Sequence, residues 1–406
     1  MDDTNFILNN LRSFYNSGAT LSYNFRRDQL ESFKNAILKY EDEINEALHA
    51  DLKKSKEETW TTETGLLLSE IKYAIKNLRK WMKPKSISTG LVTFPSSAKI
   101  YRDPLGVVLI IAPWNYPLQL LLVPLVGAIA GGNCAVLKPS ELAPATEKLI
   151  VKIIEDTFPE NYVKVISGNG KEVVPAMINE FRFNHIFYTG STIVGKEIYK
   201  LAANDLVPVT LELGGKSPCI VYDDADLKIA VKRIVLGKFL NAGQTCIAPD
   251  YVLVQESVKE KYLAELKETI DRFYSGDAYT SYDYGKIINE SRFDTIAGYL
   301  NKDKIFYGGK SRKDALYIEP TILINISMKD EVMKEEIFGP VLPVLSFTKT
   351  EEAMKIVQQN ENPLALYLFT QNKNIQEEWI KNIPFGGGCI NNTVWQFANK
   401  ICRLAA

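Results

Sequence analysis

The chain has 406 residues, 46% hydrophobic and 24% charged, with 48 basic against 49 acidic side chains. That length suggests two or three domains with a large core, and the balanced charge offers no basic field for a nucleic acid. Five dispersed cysteines argue against a disulfide framework and for a reducing, cytoplasmic setting; only two histidines, His49 and His185, leave little room for zinc or for histidine-assisted nucleophiles.

Met1-Asp2-Asp3-Thr4 lacks the basic-then-apolar pattern of a secretory signal. From about Arg26 to Trp81, apolar residues such as Leu30, Phe33, Ile37 and Tyr40 recur at helical spacing. His49 lies in this region and reads as structural. Pro84 stops the helices, and residues 85–102 read as a hairpin excursion. A β-α-β pattern follows. Gly106 to Ile111 is an apolar strand leading into Ala112-Pro113-Trp114-Asn115-Tyr116-Pro117. A buried helix spans Leu118 to Ala130, too short to cross a bilayer. Further strands are expected at Asn133 to Leu137, Tyr162 to Ile166 and His185 to Tyr188, with a helix through Thr146 to Asp156. Strands apolar on both faces imply a parallel sheet covered by helices. Ligands of such sheets bind beyond the C-terminal strand ends, where Asn115, Lys138 and Gly190 fall. After Val207 a second unit of similar build is expected, with strands near Pro208 to Leu213, Pro218 to Tyr222 and Tyr251 to Val254. Its helices are expected at Leu227 to Leu240 and Val258 to Phe273. Lys310 to Lys313 reads as a solvated turn.

Four segments bear on chemistry. Gly190-Ser191-Thr192-Ile193-Val194-Gly195 opens a helix after a strand, which suits either a phosphate or an ordinary turn. Cys134 and Cys219 interrupt apolar strands and read as core. Cys389 follows Gly386-Gly387-Gly388, which read as a flexible turn before a strand. Cys246 instead ends a polar, small-residue run, Asn241-Ala242-Gly243-Gln244-Thr245-Cys246, where nothing calls for a core residue; a nucleophile and a bland loop cysteine both remain open. Glu212, at the end of an apolar strand before Leu213-Gly214-Gly215-Lys216, is either a paired or solvent-facing carboxylate or a general base whose pKa burial raises. Glu336, in Glu335-Glu336-Ile337-Phe338-Gly339-Pro340, reads alone as a solvated helix end.

In order along about 290 residues, PWNYP (113–117), LKPSE (137–141), YTGST (188–192), LELGGKSP (211–218), GQTC (243–246) and EIFGPVLP (336–343) resemble the aldehyde dehydrogenase superfamily, nearest its class 3, fatty-aldehyde branch. The resemblance implies an α/β architecture in three parts. A Rossmann-like NAD(P)-binding domain would cover 1–84 and 103–209, and a catalytic domain 210–392. The hairpin 85–102, with C-terminal residues 393–406 only as an incomplete complement, would be the oligomerisation element of a homodimer, weakened by the missing strand. It implies oxidation of a small-molecule aldehyde to an acid, with no metal. Cys246 would attack as thiolate, a form that an ordinary thiol populates only to about 3% at neutral pH. Asn115 and the Cys246 N–H would form the oxyanion hole, where each donor is typically worth about 3–4 kcal/mol. Glu212 would activate water against the thioester.

The cofactor, NAD or else NADP, would meet Lys138 and Glu336 at its riboses, and Gly190, Ser191, Thr192 and Gly195 at the pyrophosphate. Glu141 would lie on the adenine side. Trp114 and Phe338 would lie towards the nicotinamide, and Leu213 would also meet the cofactor. Tyr116 and Leu120, placed on the helix after Asn115, would wall an apolar aldehyde pocket. The likeness ends at Asn399, and Lys400 to Ala406 match nothing in the family's continuation. A truncated or frame-shifted product or a genuine variant is therefore expected, without a membrane-anchoring tail, its hairpin lacking a strand partner and its substrate funnel lacking a wall. A weak or inactive NAD-binding homologue and a CoA-acylating aldehyde dehydrogenase are the alternative readings.

Overall fold

The computed structural model describes residues 2–360 and 363–399, and the chain divides into two units, Met1–Asp51 with Thr59–Glu212 and Leu52–Glu58 with Leu213–Ala406. It begins with helices α1 (Asp2–Asn16), α2 (Tyr23–Lys39), α3 (Glu41–Leu52) and α4 (Lys56–Thr59). A single π turn, Trp60–Thr64, leads into α5 (Gly65–Met82). The spacing that marks α2 as amphipathic buries Leu30, Phe33 and Ile37 completely. Ser22 caps its start by accepting from Phe25 N–H at 3.1 Å. Strands β1 (Lys85–Ile87) and β2 (Ala98–Ile100) then form the expected antiparallel hairpin and pair only with each other among the described residues.

The first unit's sheet contains β3 (Val107–Ile111), β4 (Cys134–Lys138), β5 (Val163–Val165), β6 (His185–Gly190) and β7 (Val209–Leu213), in the order β5-β4-β3-β6-β7. Every residue of β3 and β4 is buried, because helices cover both faces. The helices between these strands are α6 (Gln119–Gly131), α7 (Pro144–Thr157), α8 (Gly170–Glu180) and α9 (Thr192–Ala203). One expectation needs correction. The strand near Pro208 to Leu213 closes this first sheet instead of opening the second, with Ile186 N–H bonded to Pro208 O at 3.0 Å. Sequence reading also omits α1, and it omits α8, whose pattern Pro175 interrupts.

The second unit holds β8 (Pro218–Val221), α10 (Leu227–Phe239), β9 (Tyr251–Gln255), α11 (Lys259–Phe273) and α12 (Glu290–Ala297). After these come β10 (Ile305–Tyr307), β11 (Ser311–Arg312), β12 (Tyr317–Ile318), β13 (Thr321–Leu323), α13 (Glu331–Lys334) and β14 (Val341–Phe347). The last elements are α14 (Thr350–Val357), β15 (Ala365–Phe369), α15 (Lys373–Asn382) and β16 (Gly387–Ile390). The main sheet runs β10-β13-β14-β9-β8-β15-β16, parallel except for the β10–β13 edge. Cys389 lies in β16 as a strand residue, and Gly387 and Gly388, which read as a flexible turn, are already paired in that strand. The exposed Lys310–Lys313 run makes one side of the small β11–β12 hairpin. Among the described residues no strand follows β16: residues 395–398 form a 3-10 turn, and 400–406, expected to lack the completing strand, lie outside the described residues. No helix among the described residues is long and apolar enough to cross a membrane.

Candidate active site

In the first unit, three strand ends converge. Register pairs Ile111 with Lys138 on one side and with Tyr188 on the other. The turns after β3, β4 and β6 are thus neighbours at the C-terminal edge, as the rule for parallel sheets anticipates. Asn115 is buried to 2% exposure in the first of these turns, with Trp114 half-buried and Tyr116 buried beside it. Tyr116 lies in the bend before α6 and not on the helix, whereas Leu120, half-buried, is on it. The turn is held from a distance in sequence. Glu63, fully buried in the π turn, accepts from the N–H groups of Leu118 and Gln119, both at 3.0 Å. It thereby caps a helix that has no side-chain cap of its own.

Lys138 ends β4 with its ammonium on Pro139 O at 2.5 Å and on Glu141 Oε2 at 3.1 Å. Glu141 is exposed, and its other oxygen accepts from Gly170 N–H at 2.9 Å. Partial burial opposes its charge, but the hydrogen bonds from Gly170 and from Lys138 outweigh it and hold the carboxyl below its ordinary value. At β6, Gly190 leads to Ser191, whose hydroxyl caps α9 by accepting from Val194 N–H at 3.4 Å. The exposed first turn, Ser191 and Thr192, presents helix amides that no helix pairs internally, while Gly195 is buried one turn further on. Glu212, near the end of β7, is half-buried, and burial raises its pKa.

The second unit gathers its residues at the opposite, N-terminal ends of its strands. Lys216 precedes β8, Asp250 precedes β9 and Glu336 precedes β14. Lys216 and Asp250 form an ion pair at 2.5 Å, each side chain 4% exposed. Lys216 also donates to Val332 O and Glu335 O, and Asp250 accepts from Ile337 N–H at 3.0 Å. Removing either partner would strand a buried charge, typically at a cost of about 3–5 kcal/mol. The pair anchors the segment carrying Glu336 and Phe338. Glu336 is half-buried with its carboxylate against Gly214, where a Cβ would collide with it. Leu213 and Gly214 are likewise half-buried. Burial, and then the charge of Asp250, push the Glu336 pKa up to about 8, against the pull of Gly215 N–H, Lys216 and Lys238. Lys238 is wholly buried and burial lowers its pKa to about 8.

Cys246 is half-buried after a turn that the sequence only hints at. Asn241, Ala242 and Gly243 all adopt left-handed backbone, with φ of 52°, 51° and 76°. Such a conformation costs a residue with a side chain about 1–2 kcal/mol, so it must be imposed from outside. Asn241 N–H donates to Glu58 Oε1 at 2.9 Å. Gln244, fully buried, donates to Asn241 O at 3.0 Å and to Lys286 O at 2.9 Å, and accepts from Ile288 N–H at 3.0 Å. Gly243 packs where any Cβ would strike the Gly339 carbonyl. Cys134 and Cys219 are buried, as expected of core thiols, and burial pushes Cys134 up to about 12. Sequence reading missed Glu58, Glu63, Lys238 and Asp250. A buried acid or lysine in a helix, such as Glu58, Glu63 or Lys238, looks in sequence like any solvated one, and Asp250 stands in the loop before β9 with no pattern to mark it.

Comparison with known proteins gives one consistent result. A model of the aldehyde dehydrogenase family matches residues 7–401, two residues beyond the point where the motif likeness ends. The 4,4'-diaponeurosporen-aldehyde dehydrogenase of Staphylococcus aureus is 46% identical over 390 residues, covering 96% of this chain and 84% of that protein. Aldehyde dehydrogenase family 3 member B1 of Rattus norvegicus is 41% identical, covering 97% and 83%. The substrate-bound structure of Staphylococcus aureus AldH superposes with a TM-score of 0.95 at 44% identity, covering 98% of this chain and 87% of that one.

Proposed function

Because the chain belongs to the aldehyde dehydrogenase family, with family 3 members among its relatives, we propose that this oxidoreductase oxidises apolar aldehydes to acids through a thioester on Cys246. The observation that carries the reading is the Cys246 turn. Three left-handed residues braced by buried hydrogen bonds are what a positioned reactive group requires, and an inert loop cysteine would not need them. Cys246 adds its sulfur to the aldehyde carbon, and the oxyanion is met by the Asn115 amide and the Cys246 N–H. Loss of hydride from the resulting thiohemiacetal leaves the thioester. Glu212 takes a proton from water, which attacks the acyl carbon and expels the Cys246 thiolate. A carboxyl whose pKa burial has raised is a stronger base than an ordinary one, so Glu212 suits this step.

The residues present fit a nicotinamide dinucleotide, which when bound supplies the hydride acceptor. Lys138 has one donor beyond its two contacts for a ribose hydroxyl. The first-turn amides of α9, with Ser191, Thr192 and Gly195, suit the pyrophosphate. Glu336 and Phe338, with Leu213 and Trp114, serve the nicotinamide half. Glu141, held ionised, disfavours a 2′-phosphate by repulsion, which makes NAD the preferred cofactor and NADP the weaker one. Tyr116 and Leu120 line the aldehyde pocket. Residues 1–84 and 103–209 serve the cofactor, 210–392 the catalysis, and the hairpin 85–102 a homodimer in the cytoplasm. The test is reduced-nicotinamide absorbance with aliphatic and aromatic aldehydes. Turnover that disappears in Cys246→Ala is expected; a folded wild-type protein silent across the panel would overturn the reading.

A further inference from the structure

A buried hydrogen-bond chain approaches the Cys246 turn from its far side, and none of its members has a part in the chemistry above. Tyr367, on β15, is fully buried, and its hydroxyl donates to the main-chain carbonyl of Ile247 at 2.6 Å. The same oxygen accepts from Gln396 Nε2 at 3.0 Å. Gln396 Oε1 in turn accepts from the Cys389 thiol at 3.1 Å, and Cys389 lies opposite Tyr367 in the β15–β16 register. The directions are fixed by chemistry: a carbonyl only accepts, so the Tyr367 proton is committed to Ile247 and its oxygen is left to accept.

The carbonyl of Ile247 and the N–H of Ala248 belong to one peptide unit. Ala248 N–H closes a turn by donating to Thr245 O at 2.9 Å, which makes Cys246 the second residue of that turn. Tyr367 therefore grips one edge of this peptide plane and Thr245 the other. With both edges held, the plane cannot rotate, and the backbone next to Cys246 keeps one setting.

The segment carrying Gln396 is itself fastened to the helix that enters the turn. Arg233, on α10, donates to Asn391 O, and Thr393 Oγ1 donates back to Arg233 O at 2.6 Å. Val394 is buried in the same core. Residues 391–396 thus touch the approach to Cys246 through α10 and its exit through Tyr367.

We infer that Tyr367 and Gln396 are positioning residues for Cys246, with Gln396 acting through the Tyr367 hydroxyl. The inference rests on the proposed role of Cys246. Tyr367→Phe and Gln396→Leu, singly and together, are compared with wild type for kcat, for KM and for the rate of Cys246 alkylation by iodoacetamide, read by mass spectrometry. Tyr367→Phe is expected to lower kcat about tenfold with KM little changed, because small displacements of a reacting group are costly. Its alkylation rate is expected to change by about threefold or more. Gln396→Leu has a smaller effect of the same kind, and adds nothing in the Tyr367→Phe background. Wild-type kcat and alkylation rate in Tyr367→Phe, or additive losses in the double variant, would overturn the inference. If Tyr367→Phe does not fold, an unchanged alkylation rate in Gln396→Leu overturns it alone. Turnover surviving in Cys246→Ala would instead remove the nucleophile, leaving alkylation to decide this inference.

Discussion

Glu336 and Lys238 are an acid and a base held in the second unit at nearly the same pKa, about 8, for the same reason, burial. Unfolded, a glutamate ionises near about 4.3 and a lysine near about 10.4. Between about pH 4.3 and 8, then, the folded chain keeps a proton on Glu336 that the unfolded chain has released. Stability from this group falls as pH rises through that window. Lys238 works the other way from about pH 8 to 10.4, where the unfolded chain binds the extra proton and stability rises with pH. Urea midpoints at pH 5 and pH 8 should therefore differ less in Glu336→Gln than in wild type; equal differences would contradict the assignment. Little of this was readable in the sequence. EIFGP marks Glu336 only by family likeness, since its own neighbours suggest a solvated helix end. Lys238 sits in a helix whose polar spacing gives no sign that this lysine, wholly buried, faces inward.

At the scale of the element, the turn between α10 and Cys246 was half legible. A polar run with a glycine pointed to an irregular segment, and Gly243 does occupy left-handed backbone. Asn241 and Ala242 gave no comparable signal, because their conformation is imposed by Glu58 and by the Gln244 bonds, which lie far apart in sequence. Gly243→Ala should be severe. It adds a side chain at positive φ and drives it into the Gly339 carbonyl, a rigid backbone atom. We expect a loss of at least about 2 kcal/mol in unfolding free energy and turnover below a hundredth of wild type, about 2.7 kcal/mol of barrier. A variant with wild-type stability would show that the contact relaxes freely.

For the molecule as a whole, periodicity and apolar runs identified both parallel sheets, since strands buried on both faces leave a strong signal. They misassigned β7, because a strand at a unit boundary looks the same whichever sheet it joins. The β1–β2 hairpin was legible from its turn residues, and it projects Leu91 and Val92 at 95% and 99% exposure, with Phe94 also exposed. An apolar tip on a hairpin paired, among the described residues, with nothing else suits a surface that a second copy covers. Substituting serine at Leu91, Val92 and Phe94 together should shift the protein from dimer to monomer in sedimentation. A wild-type protein that already sediments as a monomer would refute the hairpin's role.

The central claim is that Cys246 carries the acyl group. Its most direct test uses Glu212→Gln, in which thioester hydrolysis should be slow. The variant is mixed with aldehyde and NAD, quenched with acid, digested and mapped by mass. One acyl group on the peptide containing Cys246, formed together with about one equivalent of reduced cofactor, is the predicted result. Cofactor reduced over many turnovers with no acyl group on that peptide, or an acyl group on another residue, would contradict the account.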